Sequence, residues 1–150
     1  MKATCLWLPI VLLAGTILVV TASAAGSPGP ADKPLTPWEV KNGIGPITEE
    51  MHLGPIDPQL ADQGETEYNE KCRLCHKLDQ RHVGPALGDV TRRRSPEFIM
   101  NLMLNTHVME ARHPVIRQMT SEYKIPMPQP RIDRKQARAI LEYLRKVGKE

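Results

Sequence analysis

The chain has 150 residues, enough for one domain of modest size. Its 20 basic and 17 acidic residues give a formal net charge of +3, which suits docking to an acidic protein partner. Only two tryptophans, three tyrosines and one phenylalanine are present, and no stripe combines them with basic residues. The composition therefore does not favour nucleic acid as a partner.

Residues 1–24 have the pattern of a signal peptide. Lys2 supplies a short positive start, residues 6–20 form an almost unbroken apolar run, and Ala22-Ser23-Ala24 has the small residues that signal peptidase reads. We expect cleavage after this triplet and therefore a periplasmic protein. An uncleaved membrane anchor is the alternative, although an apolar run of this length is short for a bilayer span.

Residues 25–59 form an N-terminal arm ahead of a domain that we place at residues 60–150. Seven of the 14 prolines lie between residues 26 and 59, so we expect no regular secondary structure there. The arm nevertheless has more apolar side chains than a solvated linker needs, namely Trp38, Ile44, Ile47, Met51 and Leu53. We predict an extended arm that packs on the following domain, with a flexible tether as the alternative.

A first helix is predicted to begin at Asp57-Pro58, because Asp57 can cap a helix and Pro58 fits its first turn. An apolar or small residue then recurs every four positions, at Leu60, Gly64, Tyr68 and Cys72. These residues share one side of a helix that leads into a pair of cysteines.

Three further helices complete the prediction. The second begins at Ser95-Pro96 and buries Phe98, Ile99, Leu102 and Met103. The third covers His113 to Tyr123 and stops by Ile125, because three prolines follow within five residues. The last runs from a capping box of Asp133 and Gln136 to about Val147, with Ala137, Ile140, Leu141 and Leu144 buried. Because no strand is evident, we predict an all-α fold of three to five helices.

Two cysteines, Cys72 and Cys75, remain once Cys5 has left with the signal peptide. Secreted domains normally use well-separated cysteines to close long loops. A pair with two residues between its members closes almost no loop. These cysteines therefore serve local chemistry.

The sequence Cys72-Arg73-Leu74-Cys75-His76 is the C-x-x-C-H pattern of haem attachment. Two thiols three positions apart on a helical turn can reach both vinyl groups of one porphyrin and form thioethers. The following histidine is then carried beneath the ring, where its Nε2 can ligate iron. The motif predicts one covalently bound haem c, held by Cys72, Cys75 and His76.

Three other interpretations of the cysteine pair are weaker. A zinc site needs four ligands, and the remaining histidines, His52, His82, His107 and His113, form no recognised zinc spacing. A thioredoxin-type redox pair follows a strand in a βαβ context, which the pattern of this chain does not provide. A disulfide across two residues is possible but strained.

Residues 60–147 resemble a class I monohaem cytochrome c domain. In that family the first helix carries a glycine and an aromatic residue before the motif and crosses an aromatic residue of the last helix; Gly64, Tyr68 and Tyr143 stand in those places. The family also has a Gly-Pro pair after the motif, matched by Gly84-Pro85. The resemblance implies that the Pro85 carbonyl accepts the Nδ1 proton of the histidine ligand and fixes its tautomer.

The resemblance further implies an axial methionine in a loop before the last helix, and Met127, between two prolines, stands there. Met100 and Met103 are interpreted as core residues, whereas Met109 and Met119 remain alternatives for the sixth ligand. A second histidine ligand is a minor alternative, since His82, His107 and His113 are expected on the surface or in loops. Arg92-Arg93-Arg94 has two interpretations, a solvated turn or a group that contacts a haem propionate and a docking partner.

The arm resembles an N-terminal segment of some bacterial monohaem cytochromes of respiratory chains, through Leu35-Thr36-Pro37-Trp38-Glu39 and Asn42-Gly43-Ile44-Gly45-Pro46. With His76 and Met127 on the two faces of the haem, iron has no open position, so the resemblance implies a single-electron carrier rather than an enzyme. Its partners would be redox proteins with an acidic docking face, and a membrane only if the leader is uncleaved. The alternatives are a haem enzyme or sensor with an open sixth position, and a fixed subunit of a respiratory complex.

Overall fold

The structure is a computed structural model and describes residues 33–148, so the leader prediction over residues 1–24 lies outside the described residues. Residues 33–148 form seven α-helices and no strand, which confirms the predicted all-α fold. The helices are α1 (Pro37–Asn42), α2 (Pro58–Lys71), α3 (Val90–Arg93), α4 (Pro96–Leu104), α5 (Thr106–Arg112), α6 (Pro114–Tyr123) and α7 (Arg134–Val147). They outnumber the predicted three to five because α1, α3 and α5 are short segments of four to seven residues. Within this part of the chain, no helix has both the length and the apolar character needed to cross a membrane.

The crossing of α2 and α7 is the main helix contact of the fold. Gly64 lies directly against the backbone of α7, and a Cβ at this position would overlap the carbonyl oxygen of Ala139. One turn further along α2, the ring of Tyr68 packs on that of Tyr143, with 5.2 Å between the ring centroids. The predicted pairing of glycine and aromatic residues across the two helices is therefore confirmed.

The starts of the long helices agree with the sequence. The Asp57 carboxylate accepts hydrogen bonds from the backbone N–H groups of Gln59 and Leu60. Asp133 and Gln136 form the predicted capping box at the start of α7. The predicted apolar positions of α7, Ala137, Ile140, Leu141 and Leu144, are all buried in the main core.

The third predicted helix is shorter at its start and is preceded by a helix that the sequence analysis missed. His113 is not helical (φ −79°, ψ 121°), because Pro114 disfavours a helical conformation in the residue before it. This break separates α5 from α6. Helix α6 ends at Lys124, which adopts a left-handed conformation with φ 61°.

The arm packs on the domain as predicted, but the expectation that it has no regular structure is wrong at residues 37–42. There Thr36 and Glu39 form a capping box and Pro37 occupies the first helical position, so α1 is stabilised locally despite the surrounding prolines. Ile44 and Ile47 are buried against the domain. A flexible tether is therefore excluded for residues 33–57.

Polar side chains of α4 hold the arm in place. Asn101, fully buried, accepts a hydrogen bond from the backbone N–H of Ile47 (2.8 Å) and donates to the carbonyls of Ile47 and Asn42 (2.9 Å each). One helical turn earlier, the Glu97 carboxylate accepts from the N–H of Met51 at 2.6 Å. The irregular backbone of the arm thus finds hydrogen-bond partners inside the protein.

The end of the arm is held by α7. The buried carboxylate of Glu142 accepts a hydrogen bond from the N–H of Asp57 (2.8 Å) and pairs with Arg138 and Arg145. Arg145 also donates to the carbonyl of Gly54 at 2.9 Å. Although burial alone would raise it, the pKa of Glu142 lies below its ordinary value because the Asp57 amide and the two guanidinium groups stabilise the charged form.

Candidate haem site

The two cysteines lie on a turn that continues from the C-terminal end of α2. The backbone N–H of Cys72 donates to the carbonyl of Tyr68, and the N–H groups of Cys75 and His76 donate to the carbonyl of Cys72, at 2.9 to 3.1 Å. This turn places both thiols and the imidazole on one wall of a cavity. Leu74, between the cysteines, points outward and is 82 % exposed.

His76 is held from three sides. Its Nδ1 lies 2.9 Å from the carbonyl oxygen of Pro85, as the resemblance implied, which fits an Nδ1–H donor and leaves Nε2 as the lone-pair nitrogen. Gly84 lies flat against the ring, since a Cβ there would overlap the imidazole atoms. The hydroxyl of Tyr68 donates to the carbonyl of His76 at 2.9 Å. The histidine is therefore oriented before any ligand binds.

Burial lowers the pKa of His76, although its hydrogen bond to the Pro85 carbonyl opposes that shift. The imidazole is accordingly neutral, which is the form that ligates a metal. Burial also raises the pKa of the Cys72 thiol to about 11. A thiol that stays protonated is a poor match for a thioredoxin-type nucleophile, whose pKa is lowered instead. The raised pKa of Cys72 therefore argues against a thioredoxin-type redox pair.

The cavity brings together the predicted site residues from three separated parts of the chain. Cys72, Cys75, His76, Pro85 and Met127 all contribute to its lining. Most of the remaining wall is apolar and comes from α4, α6 and α7, including Phe98, Ile99, Leu102, Met103, Ile116, Ile140 and Leu144. Such a wall fits a large planar apolar ring, and the neutral histidine and the two thiols on one side fit the attachment of haem. Of the residues described, no group of three or more His, Cys, Asp or Glu side chains is arranged to hold a metal ion by itself.

The methionines separate into two groups. Met103, Met119 and Met127 line the cavity. Met109 does not, because its side chain is fully buried beneath the arm and its Sδ accepts a hydrogen bond from the backbone N–H of Ile44 at 3.0 Å. This contact removes Met109 from the alternatives for the sixth ligand. Met103, although it lines the cavity, belongs to the main core cluster as predicted, so Met119 is the competitor of Met127.

His113 was expected at the surface or in a loop; it lies in the non-helical break between α5 and α6, but it is not at the surface. It is fully buried beneath the arm, its Nε2 lies 3.2 Å from the Val40 carbonyl, and its ring packs edge-on against Phe98. His82 and His107 are exposed, as expected. None of these three histidines contributes to the cavity lining.

The three consecutive arginines are not a simple solvated turn. Arg92 and Arg93 end the short helix α3, in which Arg93 pairs with Asp89 at 2.9 Å and donates to the Ala86 carbonyl. Arg94 lies over the ring of Phe98, with its guanidinium carbon 5.2 Å from the ring centroid. Arg93 and Arg94 both line the cavity. Two cations are therefore placed where acidic substituents of a bound ring could contact them.

Sequence reasoning missed two residues that hold the loop of residues 125–132, which carries Met127 and is called the methionine loop below. Glu110, on α5, accepts a hydrogen bond from the backbone N–H of Met127 at 2.6 Å. Gln129 bonds the ends of α4 and α5 through its side-chain amide. Neither residue belongs to a motif or a periodic pattern, so only the folded chain shows these contacts.

Two features together define a protein that binds haem covalently. One is an all-α domain in which α2 and α7 cross at a glycine, and the other is a C-x-x-C-H turn on the wall of an apolar cavity. The comparisons with known proteins name the family. The family model for cytochrome c matches residues 61–148. The chain belongs to the cytochrome c family, as a class I monohaem c-type cytochrome whose cofactor is one covalent haem c.

Three solved structures are similar to the chain. Cytochrome c from Rhodothermus marinus shares 49 % identity, covers 75 % of this chain and 97 % of its own, and has a TM-score of 0.70. An engineered form of that protein, Rma TDE, gives 49 % identity, 75 % and 98 % coverage, and a TM-score of 0.69. The same engineered protein bound to a carbene intermediate has 49 % identity, the same coverage and a TM-score of 0.67. The search of the curated proteins gives no match.

The structural match is longer than the family match. Coverage of 75 % corresponds to about 112 of the 150 residues, whereas the family model covers only residues 61–148. Because only two residues follow position 148, the additional match must lie mainly before residue 61. The Rhodothermus protein therefore shares part of the arm as well as the haem domain. Family membership supports electron transfer by haem as the general activity.

Proposed function

We propose that this protein is a single-electron carrier of a bacterial respiratory chain, with the haem iron ligated by His76 and Met127. The observation that carries the proposal is the cavity itself, because both side chains line it although 51 positions separate them in the sequence. When bound, the haem supplies a one-electron Fe(II)/Fe(III) couple, and a methionine ligand raises its potential. The same two ligands would leave no open position for a substrate.

The residues of the chain support this activity in two ways. The Pro85 carbonyl orients His76 and keeps its Nε2 available, and the apolar wall from α4, α6 and α7 excludes water from the ring. A buried site whose ligand is already oriented needs little rearrangement when its charge changes. This property favours a carrier over a catalyst.

A docking surface for the redox partner is proposed around the exposed edge of the motif. Leu74 is 82 % exposed, so this edge offers apolar contact area. Arg73 is exposed beside it and Lys77 is half-buried, with the Lys77 ammonium 3.1 Å from the Arg73 carbonyl. An apolar patch with cations at its border suits an acidic partner protein.

The location proposed for the protein is the periplasm, on the basis of the export pattern in residues 1–24. Attachment to a membrane would follow only if that segment is uncleaved. A fixed subunit of a respiratory complex is the alternative to a diffusing carrier. Co-purification from native membranes, with mass spectrometry of the N-terminus, distinguishes the two.

The ligation is tested on the oxidised holoprotein by near-infrared spectroscopy. We expect a sulfur-to-iron charge-transfer band that is lost in Met127→Ala and retained in Met119→Leu, the matched control from the same cavity. Loss of the band in the control but not in Met127→Ala would assign the ligand to Met119. Absence of the band from the unmodified protein would favour the haem enzyme or sensor with an open sixth position.

A further inference from the structure

The loop that carries Met127 has almost no backbone hydrogen bonding of its own. It spans residues 125–132, between α6 and α7, and within the described chain its backbone groups make no hydrogen bond to other backbone groups. Pro126, Pro128 and Pro130 lack an N–H, which removes three of the possible donors. The loop is therefore held by hydrogen bonds of side chains, one from another helix and one from the loop itself.

One of these side chains is Glu110 of α5. Its Oε1 accepts a hydrogen bond from the backbone N–H of Met127 at 2.6 Å, and it also lines the haem cavity. Among the described residues, Glu110 takes part in no ion pair. A hydrogen bond to a charged acceptor is roughly twice as strong as one between neutral groups. The hydrogen bond to Met127 is therefore the main polar contact of this carboxylate.

Gln129 fixes the loop at a second point. Its Oε1 accepts from the N–H of Thr106 at 2.7 Å, and its Nε2 donates to the Met103 carbonyl at 2.9 Å. The amide therefore occupies the junction between α4 and α5. Two anchors, at Met127 and two residues later, restrict where the thioether can lie.

This restriction matters because a second thioether is available. Met119, on α6, lines the same cavity as Met127. Met119 already has the ordered backbone of a helix, and the two anchors give the Met127 backbone comparable order, so less conformational freedom is lost when the Met127 thioether ligates.

We propose that Glu110 is a positioning residue that holds Met127 at the sixth iron position through the backbone N–H of Met127. This proposal rests on the proposed ligation by His76 and Met127. The length of the Glu110 side chain, called its reach below, brings the acceptor oxygen from α5 to the N–H of Met127. The charge strengthens this hydrogen bond, but a shorter charged side chain would not form it.

Two substitutions separate reach from charge. Glu110→Gln keeps the length of the side chain and an acceptor oxygen without the charge. Glu110→Asp keeps the charge but withdraws the oxygen by one methylene. Glu110→Ala removes both properties, and Glu65→Ala, at an exposed glutamate on α2, is the matched control.

The measurement is the affinity of the oxidised holoprotein for imidazole, which competes with the sixth ligand, followed by visible spectroscopy. We expect Glu110→Ala and Glu110→Asp to bind imidazole roughly 10- to 100-fold more tightly, as the loss of a hydrogen bond to a charged group implies. Glu110→Gln should bind imidazole only about 3- to 10-fold more tightly, because its carbonyl still accepts a hydrogen bond that is about half as strong without the charge. Glu65→Ala should show no change.

A tighter affinity in Glu110→Gln with no change in Glu110→Asp would overturn the proposal, because charge rather than reach would then matter. No change in any Glu110 variant would also overturn it. If Glu110→Ala does not fold, the Gln and Asp variants, which preserve most of the side-chain volume, decide the question. A sulfur-to-iron band that survives in Met127→Ala overturns the ligation itself, independently of the imidazole result.

Discussion

The two faces of α4 hold the molecule together in different ways. One face contributes Phe98, Ile99, Leu102 and Met103 to the apolar wall of the haem cavity. The opposite face presents Glu97 and Asn101, both buried, whose side chains bond the backbone of the arm. The haem side is therefore organised by apolar area around a cofactor, whereas the arm side is organised by hydrogen bonds within the chain.

The difference shows what each kind of contact can tolerate. Apolar packing is non-directional, so a wall of interchangeable side chains can surround a ring without fixing each atom. Hydrogen bonds to an irregular backbone are directional, and a lost partner leaves a buried polar group unsatisfied. Single substitutions should consequently cost more on the polar face of α4 than a similar change in an exposed polar residue.

The largest effect is expected for Asn101→Ala. This change leaves the N–H and carbonyl of Ile47 and the carbonyl of Asn42 without their partner inside the protein. We expect the free energy of unfolding of the holoprotein to fall by about 4 kcal/mol, measured by urea denaturation. The control is Asn69→Ala, at an exposed position on α2, which should change stability by less than about 0.5 kcal/mol. Equal effects of the two variants would show that the hydrogen bonds of Asn101 to the arm do not stabilise the protein.

Gly64→Ala tests the helix crossing beside the haem site. A Cβ at Gly64 would overlap the Ala139 carbonyl, which belongs to a backbone and cannot rotate away. We expect a loss of about 3 kcal/mol, because α2 and α7 must separate. Thermal unfolding compares this variant with Gly54→Ala, where a Cβ would meet nothing within 4 Å. A near-neutral result at Gly64 would show that the crossing is not close-packed.

The smallest effect is expected from the pH dependence of Glu142, which joins α7 to the end of the arm. Its pKa in the folded protein is lowered, so its contribution to stability is present above the unfolded pKa, about 4.3, and is lost as the pH falls through the folded value. The melting temperature of Glu142→Gln should therefore fall less between pH 5 and pH 3 than that of the unmodified protein. Glu65→Gln, at an exposed site, should keep the full decline; identical profiles for all three proteins would refute the role of Glu142.

Much of the haem side could be predicted from local patterns. The C-x-x-C-H motif, the stripe of α2 and the periodic face of α7 are short-range signals. The motif residues line the cavity together with Ile140 and Leu144 of α7, and the stripe of α2 packs on α7 beside it. The pairing of Gly64 with α7 also followed from the family pattern. The motif and the two helix faces are predictable because each depends on residues close together in the sequence, whereas the long-range contact of Gly64 came from the family pattern alone.

The arm side was predicted less well because its interactions are long-range. Asn101 contacts residues more than 50 positions away, and no periodicity marks an asparagine as the partner of a distant backbone. His113 was expected at the surface or in a loop, yet it is fully buried, because its burial depends on the arm more than 70 positions earlier. Helix α1 was missed because proline content outweighed the local capping box of Thr36 and Glu39.

The candidate site shows the same division. His76 and Pro85 are nine positions apart, and the family pattern named their contact before the structure showed its distance of 2.9 Å. Glu110 precedes Met127 by 17 positions across a helix break, so no local rule relates the two. The residues that attach a cofactor are thus easier to predict than those that hold its ligands in place.

Gly84 affects how much the His76 ring can move during electron transfer. Because the glycine backbone lies against the imidazole of His76 and the Pro85 carbonyl engages its Nδ1, the ring has little space to rotate. The ligation by His76 that we propose would therefore need little rearrangement of the imidazole after the chain has folded. The imidazole of His76 keeps the same orientation from one electron transfer to the next, so one geometry can serve both a donor and an acceptor.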